Sequence, residues 1–293
     1  MTRSGFVALA GRPNAGKSTL VNRVVGDKVA IVSDKPQTTR REVRGIATGA
    51  DWQLVLVDLP GVQRPRDPMT ERMQHSVERA LKDADAVLFT LNGEQQVGKG
   101  DRFIARAIRG AGLKAVVAVN KVDQLSKRRT LDALLAAEGL NIDAEIFPIS
   151  ARTGEGVPEL VQYLVTLLPE GPFLYPAEDR TDLPERVHLA ELIREQVLLR
   201  TRDELPHAVE VDLGELTERE DGLLELEAFL WVEGNSQKAI LIGAGGTMIK
   251  AIGSAARKEL QASLGRRVHL ELRVRVRKAW RRDDALLDRL GIE

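Results

Sequence analysis

Residues 11–18 read Gly-Arg-Pro-Asn-Ala-Gly-Lys-Ser, the pattern G-x-x-x-x-G-K-[ST], set between the apolar run Phe6–Ala10 and a helix-compatible stretch from Ser18 to Gly26. Few features restrict an architecture as strongly. A loop whose N–H groups converge on phosphate leaves a buried strand and enters a helix whose positive dipole end faces the same anion. Gly11 and Gly16 permit the tight turn, and Arg12, Pro13, Asn14 and Ala15 fill it. Lys17 is expected to reach the β- and γ-phosphates, the Ser18 hydroxyl to ligate Mg²⁺, and Thr19 to complete the phosphate-binding set.

The rest of the first half agrees with a parallel α/β sheet. Short apolar runs near 5–10, 43–49, 52–57, 86–91, 115–119 and 145–149 alternate with helical patterns over 17–26, 69–82, 100–111, 127–138 and 156–168. The expected fold is a doubly wound, mostly parallel P-loop sheet with helices on both faces, and each motif falls just after a strand, where such sheets bind ligands. The chain has no cysteine, which excludes disulfides, thiolate metal sites and cysteine nucleophiles and suits a reducing cytosol. The N-terminal apolar run is too short for a signal peptide, and no stretch approaches the length of a bilayer span.

Phosphate binding alone does not select a base. Asn120-Lys121-Val122-Asp123 closes the strand Ala115–Val119, and the Asp123 carboxylate can accept from both N1–H and the 2-amino group of guanine, a donor pair adenine lacks. Lys121 can lie along the base plane, and Asn120 can brace the loop or bond the ring. Ser150-Ala151, after the next strand, is expected to offer a backbone N–H to guanine O6. Asp58-Leu59-Pro60-Gly61 ends the strand Gln53–Val57, with Asp58 placed for the Mg²⁺ shell and the Gly61 N–H for the γ-phosphate. Between them, Gln37-Thr38-Thr39-Arg40-Arg41 lies in a polar loop where a threonine can complete the metal shell while the γ-phosphate is present. Thr38 and Thr39 compete for that role, with Thr39 favoured.

Pro169-Glu170-Gly171-Pro172 breaks the last helix, and the polar, proline-bearing segment to Pro184 reads as a linker. The division expected is 1–170, a linker at 171–186, and a smaller α+β unit at 187–293. In that unit 186–202 has helical spacing, 207–213 and 223–233 alternate like antiparallel strands, and an apolar strand segment at 238–242 leads to Gly243-Ala244-Gly245-Gly246 and a helix over 247–264. The last strand alternates Val268, Leu270, Leu272, Val274 and Val276 with polar residues that include Arg273, Arg275 and Arg277.

Net charge is zero, 43 basic against 43 acidic residues, but it is unevenly spread. Asp203–Glu227 carries ten acids against Arg219, and Arg257–Arg282 ten bases against Glu259 and Glu271. A G-x-x-G turn opening a helix with Lys250, Arg257 and Lys258, beside the arginine strand and Trp280, suits close approach of an RNA backbone.

The motifs before residue 168 resemble those of a translation-factor-type GTPase. Val62 stands where Ras-like proteins carry a water-orienting glutamine, so slow hydrolysis is expected. In related GTPases with asparagine at the Asn14 position, a monovalent cation such as K⁺ bound there supplies catalytic charge; the alternative is that Asn14 only caps the loop. The catalytic set expected is Lys17, Thr39, Gly61 and Asn14. The whole chain resembles the Era GTPases, which join a G domain to a type II KH domain. The resemblance rests on the phosphate loop, Pro36-Gln37-Thr38-Thr39-Arg40, Asn120–Asp123, Ile193-Arg194-Glu195, Glu204-Leu205-Pro206, Lys250-Ala251-Ile252-Gly253 and Val274–Arg281. It implies GTP/GDP and Mg²⁺ as ligands, binding to the 3′ end of 16S ribosomal RNA, and help in maturing the 30S subunit. A monomeric, cytoplasmic protein with a peripheral fraction on the inner membrane is also implied. A tRNA-modification GTPase is disfavoured by the start at strand one and the missing cysteine. An RNA scaffold with weak nucleotide turnover is disfavoured by the full set of G motifs.

Overall fold

The computed structural model describes residues 1–35, 37–61, 67–202 and 205–292. Expectations resting on Pro36, Val62 and the pair Asp203 and Glu204 lie outside these. The chain divides into two compact units, Met1–Ala30, Thr39–Arg66 and Thr70–Asp182 in the first, Ile31–Thr38, Asp67–Met69 and Leu183–Glu293 in the second.

The first unit runs β1 (Arg3–Ala10), α1 (Lys17–Val25), β2 (Val43–Thr48), β3 (Trp52–Asp58), α2 (Pro68–Asp83), β4 (Ala86–Asn92), α3 (Lys99–Ala111), β5 (Lys114–Asn120), α4 (Lys127–Glu138), β6 (Ala144–Pro148) and α5 (Val157–Leu167). The six strands form one sheet in the order β2-β3-β1-β4-β5-β6, with β2 antiparallel to β3 and the other pairs parallel. β4 is buried along its whole length, as a strand covered on both faces must be. Leu20, Val21, Leu160 and Leu164 of α1 and α5 pack on one face with Val7, Leu9 and Leu88. Ile104, Ala105, Ile108 and Ala137 of α3 and α4 pack on the other with Val87, Phe89 and Val117.

The segment after α5 is not a free tether. Gln53, fully buried on β3, accepts the Leu174 and Tyr175 N–H groups at 2.7 and 2.9 Å and donates to the Tyr175 carbonyl at 2.9 Å. The Ile46 N–H of edge strand β2 donates to Arg180 O at 2.8 Å, and Arg44 pairs with Asp182 at 2.9 Å. Residues 171–182 thus cover a sheet edge whose polar groups would otherwise face solvent, and the first unit extends to Asp182.

The second unit contains α6 (Glu185–Arg200), α7 (Leu205–Ala208), β7 (Glu210–Glu218), β8 (Leu224–Val232), α8 (Asn235–Ile242), α9 (Thr247–Leu264), β9 (Val268–Val276) and α10 (Asp284–Arg289). β7 pairs antiparallel with β8, and β8 parallel with β9. Leu189, Leu192, Ile193 and Val197 of α6 meet Leu226, Ala228 and Leu230 of β8 and Ile252, Ala256 and Leu260 of α9. Inside this core Arg194 is fully buried, 2.6 Å from Glu191 and 3.7 Å from Glu210. The order α-α-β-β-α-α-β-α keeps the expected α+β make-up, with a helix where a further strand segment was expected.

Two expected elements differ. Residues 238–242 lie in a helix, because the Gln237 side chain accepts the Gly234 N–H at 3.2 Å and starts a turn there; a short continuous apolar run carries no period to separate helix from strand. The strand expected from His207 begins at Glu210, since Leu205-Pro206 opens a helical turn first.

Candidate functional site

Strand register brings the first site to one sheet edge. Leu9 lies opposite Asp58 and Asn92 opposite Asn120, so the ends of β3, β1, β4 and β5 line one edge of the sheet. At Gly16 φ is +94°, and a methyl group there would lie 2.2 Å from Asn120 Nδ2. Glycine is therefore required for both conformation and space. Asn120 takes the bracing role: its Nδ2 donates to Ala15 O at 2.9 Å, and its Oδ1 accepts the Lys121 and Ala151 N–H groups at 2.8 and 2.9 Å. The Ala151 amide expected to meet guanine O6 is thus engaged within the protein, and the Ser150 amide donates to Glu155 O at 2.9 Å.

Ser150 contributes through its side chain instead, donating to Asp123 Oδ1 at 2.7 Å, while Gln124 and Arg152 reach Oδ2 at 2.6 and 2.5 Å. Burial pushes the Asp123 carboxyl up, but these hydrogen bonds and the Arg152 charge outweigh it and hold the group below its ordinary range. Asp123 is thus a carboxylate acceptor held in place by three donors. Sequence reasoning missed Arg152; its signal was its place directly after Ser150-Ala151.

Ser18, Thr39 and Asp58 converge. The Ser18 hydroxyl donates to Asp58 Oδ2 at 2.5 Å, Thr39 Oγ1 lies 3.1 Å from Ser18 Oγ, and it donates to Asp58 Oδ2 at 3.3 Å. The Thr38 hydroxyl turns elsewhere, donating to Lys35 O at 2.6 Å and lying 2.8 Å from Ser33 Oγ. Asp58 is fully buried, and its Oδ1 has no hydrogen-bond partner. An all-oxygen set with an orphaned buried carboxylate oxygen fits a small hard cation such as Mg²⁺. Burial pushes the Asp58 carboxyl up, opposed by Lys17, Ser18 and Thr39, and pushes the buried Lys17 ammonium down, opposed by Asp58. Leu59 and Pro60 are buried, and a Cβ on Gly61 would come within 2.9 Å of Pro13 Cγ, so Gly61 rests directly on the phosphate loop.

In the second unit the glycine turn joins α8 to α9. Gly243, Gly245 and Gly246 have φ of +73°, +58° and +78°, and Ala244 and Gly245 are exposed. Lys250, Arg257 and Lys258 are exposed on α9. A groove of about 480 Å³ runs between Lys250, Gly253 and Arg257 of α9 and His269 and Glu271 of β9.

The arginine strand is less free than its alternation implied. Arg273 Nε lies 2.9 Å from both Glu227 and Glu271, Arg277 pairs with Asp283, and Arg275 stacks 4.0 Å from the Phe229 ring centroid. Phe229 and Trp231, opposite Arg273 and Arg275 on β8, form an aromatic pair that the alternation of 224–232 would have revealed. Trp280 does not face a ligand. It is fully buried and its indole N–H donates to Ala208 O at 2.9 Å, because a large ring with one donor is accommodated best where a backbone carbonyl awaits it.

A sequence profile of the 50S ribosome-binding GTPase family matches residues 6–121, and a KH-domain profile matches residues 204–281. GTPase Era of Mycolicibacterium smegmatis is 45% identical over 99% of this chain and 98% of its own length. GTPase Era of Mycobacterium tuberculosis is 45% identical over 98% of each. Among solved structures, a variant of Aquifex aeolicus Era bound to GDP·AlF4⁻ superposes with a TM-score of 0.95 at 33% identity over 99% of both chains. An Era complex with MgGDPNP and nucleotides 1506–1542 of 16S ribosomal RNA gives 0.96 at 33% identity, covering 100% of this chain and 99% of the other. Full-length similarity of this order, with the phosphate, metal and base-recognition residues gathered at one sheet edge, shows that the chain belongs to the Era family of GTPases.

Proposed function

We propose that this protein is a GTP-hydrolysing switch that binds the 3′ region of 16S ribosomal RNA and assists 30S subunit maturation. The observation that carries the reading is the full-length match, TM-score 0.96, to an Era bound to MgGDPNP and that RNA. Asp123, oriented by hydrogen bonds from Ser150, Gln124 and Arg152, selects guanine. The phosphate-loop amides and the Lys17 ammonium hold the β- and γ-phosphates, and the fixed positive charge in a buried site favours the charge that develops as the γ-phosphoryl departs. Thr39 and Gly61 report the γ-phosphate to the loops that carry them. Ser18, Thr39 and Asp58 would hold Mg²⁺, which would supply charge neutralisation at the phosphates. The apolar Val62 after Gly61 offers no group to orient water, which supports a slow intrinsic rate.

The exposed Asn14, in the left-handed region at φ +63°, is the proposed ligand for a K⁺ ion that supplies the missing charge. Hydrolysis is expected to run about tenfold or more faster in K⁺ than in Na⁺, and Asn14→Ala to erase the difference. Equal rates in the two salts for the parent protein would refute this role.

The RNA site is assigned to Gly243–Gly246, Lys250, Arg257 and Lys258 with the neighbouring groove. Replacing Ala244 and Gly245 together by Asp puts two carboxylates where phosphates approach, and aspartate tolerates the left-handed conformation at Gly245. Affinity for an RNA of the small-subunit 3′ end, measured by fluorescence anisotropy, is expected to fall at least about tenfold, ~1.4 kcal/mol. Unchanged affinity would refute the assignment. A monomeric, cytoplasmic protein with a peripheral inner-membrane fraction is supported by family membership alone. Among the described residues no single helix is long and apolar enough to cross a membrane.

A further inference from the structure

The segment from the end of β4 into α3, residues 92–101, carries none of the nucleotide motifs, yet its polar groups hold both ends of the nucleotide-binding apparatus. At the phosphate end, Arg12 Nε lies 3.0 Å from Asp101 Oδ1, and Arg12 Nη2 donates to Gln95 Oε1 at 2.7 Å. Asp101 is 2% exposed, and its other oxygen accepts the Gly98 N–H at 2.8 Å, so the carboxylate is fixed before it meets the arginine. At the base end, Glu94 Oε2 lies 2.9 Å from Lys121 Nζ, and the Gly93 N–H donates to Asn120 O at 2.9 Å. A cavity of about 600 Å³ lies behind residues 91–97, bounded across by Ala133, Ala136 and Leu140. On that side Val97, the one apolar side chain of the segment, packs against the core. The polar pins fix the position of the rest.

We propose that residues 92–101 form a brace that sets the spacing between the phosphate loop and the guanine loop, with Asp101 and Glu94 as positioning residues. The inference rests on the reading that these two loops hold GTP. Asp101 orients Arg12, and through it the path of the loop whose amides meet the phosphates. Glu94 restrains Lys121, and through it the register of Asp123 against the base. Neither carboxylate belongs to a nucleotide motif. Each acts by fixing a loop that does, and small misplacements of such groups are costly.

The test uses the full-length chain with Glu94→Gln, Asp101→Asn and Arg12→Lys. The amide introduced by Asp101→Asn retains an oxygen for the Gly98 N–H, so α3 keeps its start, and Arg12→Lys breaks the same link from the other side without altering the buried carboxylate. Steady-state hydrolysis of GTP and of ITP, which lacks the 2-amino group, separates the two ends. Asp101→Asn and Arg12→Lys are expected to lower kcat for GTP by roughly 10–100-fold with the GTP-to-ITP preference retained. Glu94→Gln is expected to act mainly through KM and to narrow the GTP-to-ITP preference, and Glu94→Asp to restore part of it. A merely structural role would lower activity toward both nucleotides equally in every variant. That pattern, or an unaltered kcat in both phosphate-end variants, would overturn the brace. Asp123→Asn tests the guanine reading independently, so a base switch in that variant with no effect at Glu94 and Asp101 rejects the brace alone.

Discussion

Asp123→Asn is expected to reverse the nucleotide preference, favouring xanthosine over guanosine nucleotides by roughly 10³-fold or more relative to the parent protein. The Asp123 carboxylate offers acceptors for the guanine N1–H and 2-amino donors. An asparagine replaces one acceptor with a donor, which faces the 2-amino group unfavourably and suits the 2-oxo group of xanthine. The surroundings support the exchange, because the Ser150 hydroxyl, 2.7 Å from Oδ1, can still donate to the amide oxygen. The other oxygen accepts from Arg152 and Gln124 at 2.5 and 2.6 Å, so the cost of the change falls on that side. Competition of GTP and xanthosine triphosphate against a labelled diphosphate measures the outcome, and a retained guanine preference would refute the role of Asp123.

The second large effect is expected at Lys17. Lys17→Met keeps an unbranched side chain one atom shorter and removes its charge, and hydrolysis is expected to fall by roughly 10²–10³-fold in kcat/KM. The side chain is buried, with Nζ 3.4 Å from Gly11 O and Asp58 as its opposing charge. A buried ammonium that few protein groups satisfy is poised for phosphate oxygens, whose charge exceeds that of any neighbouring side chain. Thermal unfolding followed by circular dichroism separates this loss from a loss of fold. Full activity in a folded Lys17→Met protein would show that the phosphates are held by the loop amides alone.

Much of the architecture was legible in the chain. All six strands of the first unit and its helices after the phosphate loop, each within two residues of the expected ends, follow from apolar runs of strand length alternating with longer amphipathic segments. The readings that failed share a cause. At 238–242 a short apolar run with no period was compatible with either element, and a single side-chain contact from Gln237 decided it. Trp280 stood among arginines and looked available to a ligand, but the backbone carbonyl of Ala208, far off in the chain, takes its indole N–H into the core. Arg273 and Arg277 looked like solvent-facing cations until their carboxylate partners on neighbouring segments were known.

The local patterns of the chain specify a phosphate loop between a strand and a helix, a carboxylate suited to guanine after a later strand, and a glycine turn opening a basic helix in a second unit. Spacing within a few residues encodes these, because backbone turning, helix initiation and strand alternation are local properties. Long-range packing selects which threonine joins Ser18 and Asp58, sets Asn120 against Ala15 and Ala151, and brings Asp101 and Glu94 to Arg12 and Lys121. Those choices depend on the register between strands distant in the chain and on which side chains burial brings within hydrogen-bonding distance. No local pattern carries that information.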